Sequence, residues 1–238
     1  PYRRQRQMCI RDRGGSKRIP RKNIKEFCGR PIIAYSIKAA LESDLFDEVM
    51  VSTDDEEIAD VSRAYGASVP FMRSASASDD YATTTDALLE VLCEYARRGR
   101  VFDTLCCLYP AAPFVNPDEL CAAMRMIDMG ATSVIPVTSF DFPPLRGFRF
   151  DENGRLQYAF PEYALSRSQD LPDMVHDCGR FYFATVEAFE KSQGFVTERT
   201  KAIYIESKLV QDIDVLEDWE LAEQKFLTMI RGSENEIA

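Results

Sequence analysis

The sequence holds one histidine, one tryptophan and no pair of cysteines at CxxC spacing. A zinc site calls for Cys and His at paired spacings, and a disulfide framework calls for an even, regular set. Cys9, Cys28, Cys93, Cys106, Cys107, Cys121 and Cys178 offer neither, so they are expected to be free, buried thiols of a reducing cytoplasm. No apolar run approaches the roughly 20 residues that cross a bilayer, so no membrane span is expected. The basic N-terminus lacks the apolar core and small-residue cleavage site of a secretory signal. Positive charge is also in short supply overall: 29 basic against 39 acidic residues leave a net charge of −10. That excludes a nucleic-acid-coating surface, yet a local cationic loop can still hold a small phosphate ligand.

What is present is a regular alternation of short apolar runs and helical patterns, in a chain of 238 residues that suffices for one α/β domain with a small insertion. Helices are predicted over Pro31 to Leu41, Glu56 to Tyr65 (stopped by Gly66), Thr84 to Arg97, Asn116 to Met129, from Val186, and over Leu216 to Ile230. Strands are predicted at Glu48 to Ser52, Thr104 to Tyr109, Ser133 to Val137, Phe181 to Phe183 and Ala202 to Glu206. Strands separated by helices at this spacing predict βαβ units and a mostly parallel sheet, in which ligands bind beyond the carboxyl ends of the strands. Phe142 to Pro172 breaks the rhythm. Its Asp151-Glu152-Asn153-Gly154 turn between Phe148–Phe150 and Leu156–Tyr158 predicts an inserted hairpin, serving as a lid, a dimerisation arm or both.

Two segments carry chemistry. Arg13 to Asn23 (RGGSKRIPRKN) joins two glycines, which permit close backbone approach, to five cationic side chains: Arg13, Lys17, Arg18, Arg21 and Lys22. Such a loop can wrap a triphosphate, although the GxxxxGK[ST] spacing of a P-loop is absent. Asp212-Ile213-Asp214 follows the last predicted strand, and residues i and i+2 of an extended segment face the same way, so both carboxylates can meet one hard cation. Asp54-Asp55 and Glu56-Glu57 are read as the capped, acidic start of a helix. His176 is read as ordering its loop in preference to moving a proton, Phe181-Tyr182-Phe183 as core strand, and Trp219 as packing for the last helix.

RGGSKRIPRKN, STDDEEIA (Ser52 to Ala59), RSQDLP (Arg167 to Pro172) and DIDVLEDWELAE (Asp212 to Glu223) together resemble the CMP-sialic acid synthetase family. FCGRPIIAYSI, SDDYATT and the HD and GRFYF stretches after RSQDLP are most similar to its pseudaminic acid branch. The likeness runs from Arg13 to about Phe226. It implies a three-layer α/β/α nucleotide-diphospho-sugar transferase fold, Rossmann-like, with a hairpin region inserted at about 140–180 that makes a cytoplasmic homodimer. The implied activity is transfer of CMP from CTP to a nonulosonic acid, with one or two Mg²⁺ ions. Arg13, Gly14, Gly15, Ser16, Lys17, Lys22 and Asn23 would line the nucleotide phosphates, and Arg73, Thr83 and Thr84 the cytidine. Arg167, Gln169 and His176 would lie at the sugar, Asp212 and Asp214 would hold the metal, and Lys17, Asp212 and Asp214 would carry catalysis. The general base is unassigned, with Asp212 and Asp214 among the candidates.

The family's phosphate loop follows an apolar central strand. Here the matching stretch is Met8-Cys9-Ile10-Arg11-Asp12, with two charges where buried residues belong. An unpaired charge in that position costs several kcal/mol, which predicts a frayed first strand. The change of texture at Arg13 further predicts that 1–12 is a non-native segment, a translated adapter or a misassembled gene end, ahead of a single domain over 13–238. Tyr109-Pro110-Ala111-Ala112-Pro113 and Arg180 also depart from the family, which often carries Gln-Pro-Thr-Ser-Pro and Gln there.

Overall fold

The computed structural model describes residues 5–11, 18–78 and 81–235. Its strands are β1 (Arg6–Arg11), β2 (Glu26–Phe27), β3 (Arg30–Pro31), β4 (Glu48–Ser52), β5 (Thr104–Leu108), β6 (Ser133–Ser139), β7 (Phe148–Phe150), β8 (Leu156–Tyr158), β9 (Val175–Asp177), β10 (Phe181–Thr185) and β11 (Thr200–Tyr204). The helices are α1 (Ile32–Glu42), α2 (Glu56–Ala64), α3 (Thr84–Arg97), α4 (Pro117–Asp128), α5 (Val186–Ser192) and α6 (Leu216–Asn235). One sheet runs in the order β11-β6-β10-β5-β1-β4, with β9 also paired to β6. β1 is parallel to β4 and β5, and β6 to β11, whereas β9 and β10 run antiparallel to their neighbours. β2 pairs with β3 and β7 with β8 as separate two-stranded ribbons.

Successive strand residues point to opposite faces, and here both faces are covered. Met8, Ile10, Val51, Cys106, Leu108, Phe181 and Phe183 face Ile33 and Ile37 of α1, Ile58 of α2 and Leu120, Met124 and Ile127 of α4. Cys9, Met50, Leu105, Cys107 and Tyr182 face Leu88, Val91 and Tyr95 of α3 and Phe189 of α5. Each large apolar side chain so buried contributes about 1.5–3 kcal/mol. The result is the expected three-layer α/β/α architecture with a mostly parallel sheet.

Local chemistry sets the helix starts. Asp55 caps α2 by accepting from the backbone of Glu57 and Ile58. Reciprocal capping boxes open α3 (Thr83 with Asp86) and α4 (Asn116 with Glu119, Pro117 at the first turn). In the hairpin turn the Asp151 carboxylate accepts from the backbone of Asn153 and Arg155, both at 2.8 Å, and Gly154 takes φ +75°.

Two expectations need correction. The first strand is not frayed: β1 lies between β4 and β5, and Met8, Cys9 and Ile10 are at most 1% exposed. Its charge is accommodated because Arg11 ends the strand, where its guanidinium donates to the Thr84 hydroxyl (2.9 Å) and the Ala82 carbonyl (3.1 Å). Asp12 lies outside the described residues. All seven cysteines are free, but only Cys9, Cys106, Cys107 and Cys178 are buried; Cys28 and Cys121 are half-buried and Cys93, on α3, is exposed. No helix among the described residues is long and apolar enough to cross a membrane.

Candidate active site

β1, β4 and β5 lie side by side and parallel, so their carboxyl ends open onto one edge of the sheet, and the segments leaving that edge build the site. Arg13, Gly14, Gly15, Ser16 and Lys17 lie outside the described residues. The loop resumes at Arg18, whose guanidinium pairs with Asp214 at 2.8 Å. Lys22 then donates its Nζ to the Ile213 carbonyl at 2.8 Å. The basic loop near the start of the chain and the acidic pair near its end are therefore in direct contact. Arg21, held at φ +55°, turns the other way and pairs with Asp55 and Glu57 at the start of α2. That guanidinium, with the backbone N–H groups of Ile58 and Glu57, holds the Asp55 carboxyl below its usual range. Asn23 is buried in the following turn.

The acidic segment is firmly seated. Ile213 is 2% exposed and packs with Ile19, Phe27, Ile32, Phe114 and Trp219, while Asp212 is exposed and Asp214 half-exposed. The alternation sets both carboxylates away from the core on the same side of an extended segment. The Lys225 ammonium anchors the segment from behind through the Val210 carbonyl (3.1 Å) and Gln211 (2.9 Å). Ahead of it, Asp218 accepts from the backbone of Asp214 and Val215. Those two bonds hold the Asp218 carboxyl below its usual range. Trp219 packs the last helix edge-on against Phe27 with the Lys25 ammonium over its ring. Two adjacent carboxylates are an all-oxygen donor set suited to a hard divalent cation. Among the described residues no group of three or more His, Cys, Asp or Glu is placed to hold a metal ion.

Arg73 follows β4, and Thr83 and Thr84 open α3, near the same edge of the sheet. Arg73 is 6% exposed and donates to the Ser52 carbonyl, Asp54 and Ser78. Thr83 caps α3, and Thr84 accepts from Arg11.

Arg167, Gln169 and His176 sit apart in the inserted region. Arg167 pairs with Asp170 at 2.7 Å, and Gln169 lies on the same exposed turn. His176 lies in β9 opposite Thr138, its ring 4.8 Å from that of Phe140 and its Nδ1 2.9 Å from the Asp177 carbonyl. Within one chain these three residues make local contacts and none to the acidic pair that the described geometry records.

Several contacts escaped sequence reasoning, which read Arg180 only as a departure from the family and Tyr182 only as core strand. Arg180, 4% exposed, holds Glu119 by two hydrogen bonds (2.7 and 3.2 Å) and donates to the Phe114 carbonyl, tying the turn between β9 and β10 to the loop after β5. Burial raises the Glu119 carboxyl above its ordinary value while Arg180 pulls it down. The Tyr182 hydroxyl donates to Asp177, and burial followed by that bond pushes the phenol up. Asp218, four residues past Asp214, had a local capping signal; Lys225 and Glu119 had none pointing to their distant partners.

Known proteins resemble this chain in sequence and in fold. The family model described as Cytidylyltransferase matches residues 8–142. The chain is 41% identical over 211 residues to a pseudaminic acid cytidylyltransferase of Campylobacter jejuni subsp. jejuni, covering 88% of this chain and 91% of that one. It is 33% identical to a CMP-N,N'-diacetyllegionaminic acid synthase of Legionella pneumophila subsp. pneumophila, covering 89% and 92%. Among solved structures, CMP:2-keto-3-deoxy-manno-octonic acid synthetase complexed with CTP superposes with a TM-score of 0.69 at 16% identity, covering 94% of this chain and 99% of that one, a likeness of fold. The family match begins inside β1 and ends just past β6, and the Campylobacter relative carries it over nearly nine-tenths of the sequence: the chain belongs to the cytidylyltransferase family.

Proposed function

We propose that this chain transfers CMP from CTP to the anomeric hydroxyl of a nonulosonic acid, pseudaminic acid in the first instance, with release of pyrophosphate. The observation that carries the reading is the direct contact of the basic loop with the acidic pair, through Arg18 to Asp214 and Lys22 to Ile213. A triphosphate set against that loop has its negative charge met by Arg13, Lys17 and Lys22 and by the backbone N–H groups of Gly14, Gly15 and Ser16. Asn23 lines the same subsite, and Arg73, Thr83 and Thr84 face the cytidine. Asp212 and Asp214 would hold Mg²⁺, which would supply charge neutralisation at the phosphates and Lewis-acid polarisation. The chain's own part is to position the acceptor hydroxyl and to stabilise developing charge, which requires no covalent nucleophile.

The inserted arm makes a cytoplasmic homodimer and brings Arg167, Gln169 and His176 to the sugar site of a second copy. Supporting this, Phe148, Phe150 and Leu156 of the β7–β8 ribbon are 58%, 74% and 64% exposed, and an isolated two-stranded ribbon is at best marginally stable in water. The test is incubation with CTP, Mg²⁺ and separate pseudaminic, legionaminic and sialic acids, following pyrophosphate and the CMP-sugar. Pseudaminic acid is expected to turn over fastest, and Asp212→Asn and Asp214→Asn to lose at least ~10²-fold in rate. CTP binding with no pyrophosphate from any sugar would refute the reading.

A further inference from the structure

The inserted arm leaves the sheet at the end of β6 and returns to the same strand through β9. β6 pairs with β9 at Val137, Thr138 and Ser139 and with β10 at Ser133 and Val134, so the chain kinks at 178–180 between the two pairings. Several contacts pin that kink. Gly179 takes φ +60°, the Cys178 N–H donates to the Pro136 carbonyl at 3.1 Å, and the Tyr109 N–H donates to the Arg180 carbonyl at 2.9 Å. Asp177 closes it: its Oδ1 accepts from the Gly179 N–H at 2.6 Å, and the Tyr182 hydroxyl lies 2.7 and 2.6 Å from its two oxygens.

Asp177 is exposed and Tyr182 only 7% exposed, so a solvent-facing carboxylate on the arm's last strand grips a phenol of the core. An O–H bond to an ionised acceptor at this length is among the strong hydrogen bonds. The Tyr182 ring meets Tyr109 edge-on, centroids 5.5 Å apart, and Tyr109 directly follows β5 at the carboxyl end where the site opens. Contacts therefore run unbroken from the arm to that edge. The basic loop follows β1, on one side of β5, while β10 and the arm lie on the other, the side left for an acceptor. We propose that Asp177 is a positioning residue for the transfer: by locking the kink through Tyr182 it sets the arm, and the acceptor sugar with it, against the carboxyl edge of the sheet. The inference rests on the proposed transfer from CTP to a sugar acid.

Asp177→Ala and Tyr182→Phe, singly and together, are assayed for CMP-sugar formation with CTP and the sugar acid varied in turn, with Tm measured alongside. Each single variant is expected to raise the KM for the sugar acid on the order of tenfold, the scale of one hydrogen bond to a charged group, and to move the KM for CTP by less than about twofold. The double variant is expected to match the worse single one, because both act through one contact. Asp177→Asn, which keeps an acceptor for Gly179 and Tyr182, is expected to recover most of the sugar KM. If Asp177→Ala does not fold, Tyr182→Phe, which keeps its ring packed on Tyr109, carries the test. Two KM values that rise together, or that stay as in the unaltered chain while Tm falls, overturn the inference and leave Asp177 a structural tie. Effects that add in the double variant overturn it as well. An unaltered chain that forms no CMP-sugar from any sugar acid overturns the proposed transfer, and this inference with it.

Discussion

Replacing Arg180 by Met retains the volume of its stem and deletes the guanidinium that Glu119 and the Phe114 carbonyl share. Both charges are buried, with side chains 4% and 13% exposed. Removing one member of such a pair leaves the other desolvated and unmatched, at a cost of about 3–5 kcal/mol. In a domain of this size each kcal/mol moves the midpoint by about 2–4 °C, so Tm is expected to fall by roughly 6–20 °C. The Glu119 carboxyl already lies above its ordinary value of 4.5 because of burial, with Arg180 as the opposing pull; without Arg180 it rises further. A carboxyl raised on folding favours the folded state below its unfolded pKa, and that contribution is lost as pH rises through the folded value. The deficit of Arg180→Met is therefore smallest near pH 4.5 and grows toward neutrality. Urea unfolding of the single variants, Glu119→Gln and the double variant, followed by circular dichroism across this range, measures both the cost and the coupling. A deficit below about 1 kcal/mol at pH 7, or one that is flat with pH, refutes the reasoning.

Two further outcomes are expected. Ile213→Ala, at a site 2% exposed, should cost roughly 2–5 kcal/mol and lower turnover as well, because the side chain seats the carboxylates on either side of it. Turnover measured well below the variant's melting point checks this, and an unchanged rate disconnects the seat from the chemistry. Phe150→Asp on the exposed ribbon should shift the light-scattering mass from dimer to monomer; an unaltered chain that is already monomeric at assay concentration contradicts the arm's assignment.

Much of the fold is legible because local chemistry marks it. Thr84–Arg97 is read to the residue since the Thr83–Asp86 capping box sits at its start, and Glu48–Ser52 since both its ends carry turn residues. The hairpin follows from its Asp-Glu-Asn-Gly turn. The last sheet strand falls two residues earlier than its apolar pattern suggests: the Thr200 hydroxyl, bonded among Ser133 and Thr197, pins the start of the strand. The charge of β1 points to fraying, whereas the partners that accommodate Arg11 lie more than 70 residues away. Separations of 61 and 191 residues likewise hide Arg180 from Glu119 and Lys22 from Ile213. In the site, the basic loop and the acidic pair are visible as motifs, whereas their contact is a property of the folded chain.

The position of β10 has a consequence for synthesis. β5 and β6 follow one another in sequence but never touch, because β10 lies between them. The partners of β6, namely β9, β10 and β11, are all made after it. On the ribosome, β1, β4 and β5 can therefore pair as they emerge, while β6 waits through the whole inserted arm. A nascent chain halted before Phe181 leaves open the β5 edge that β10 covers and the β6 edges that β10 and β11 cover, the state in which a translation pause or a premature stop most readily recruits a chaperone or a neighbouring chain.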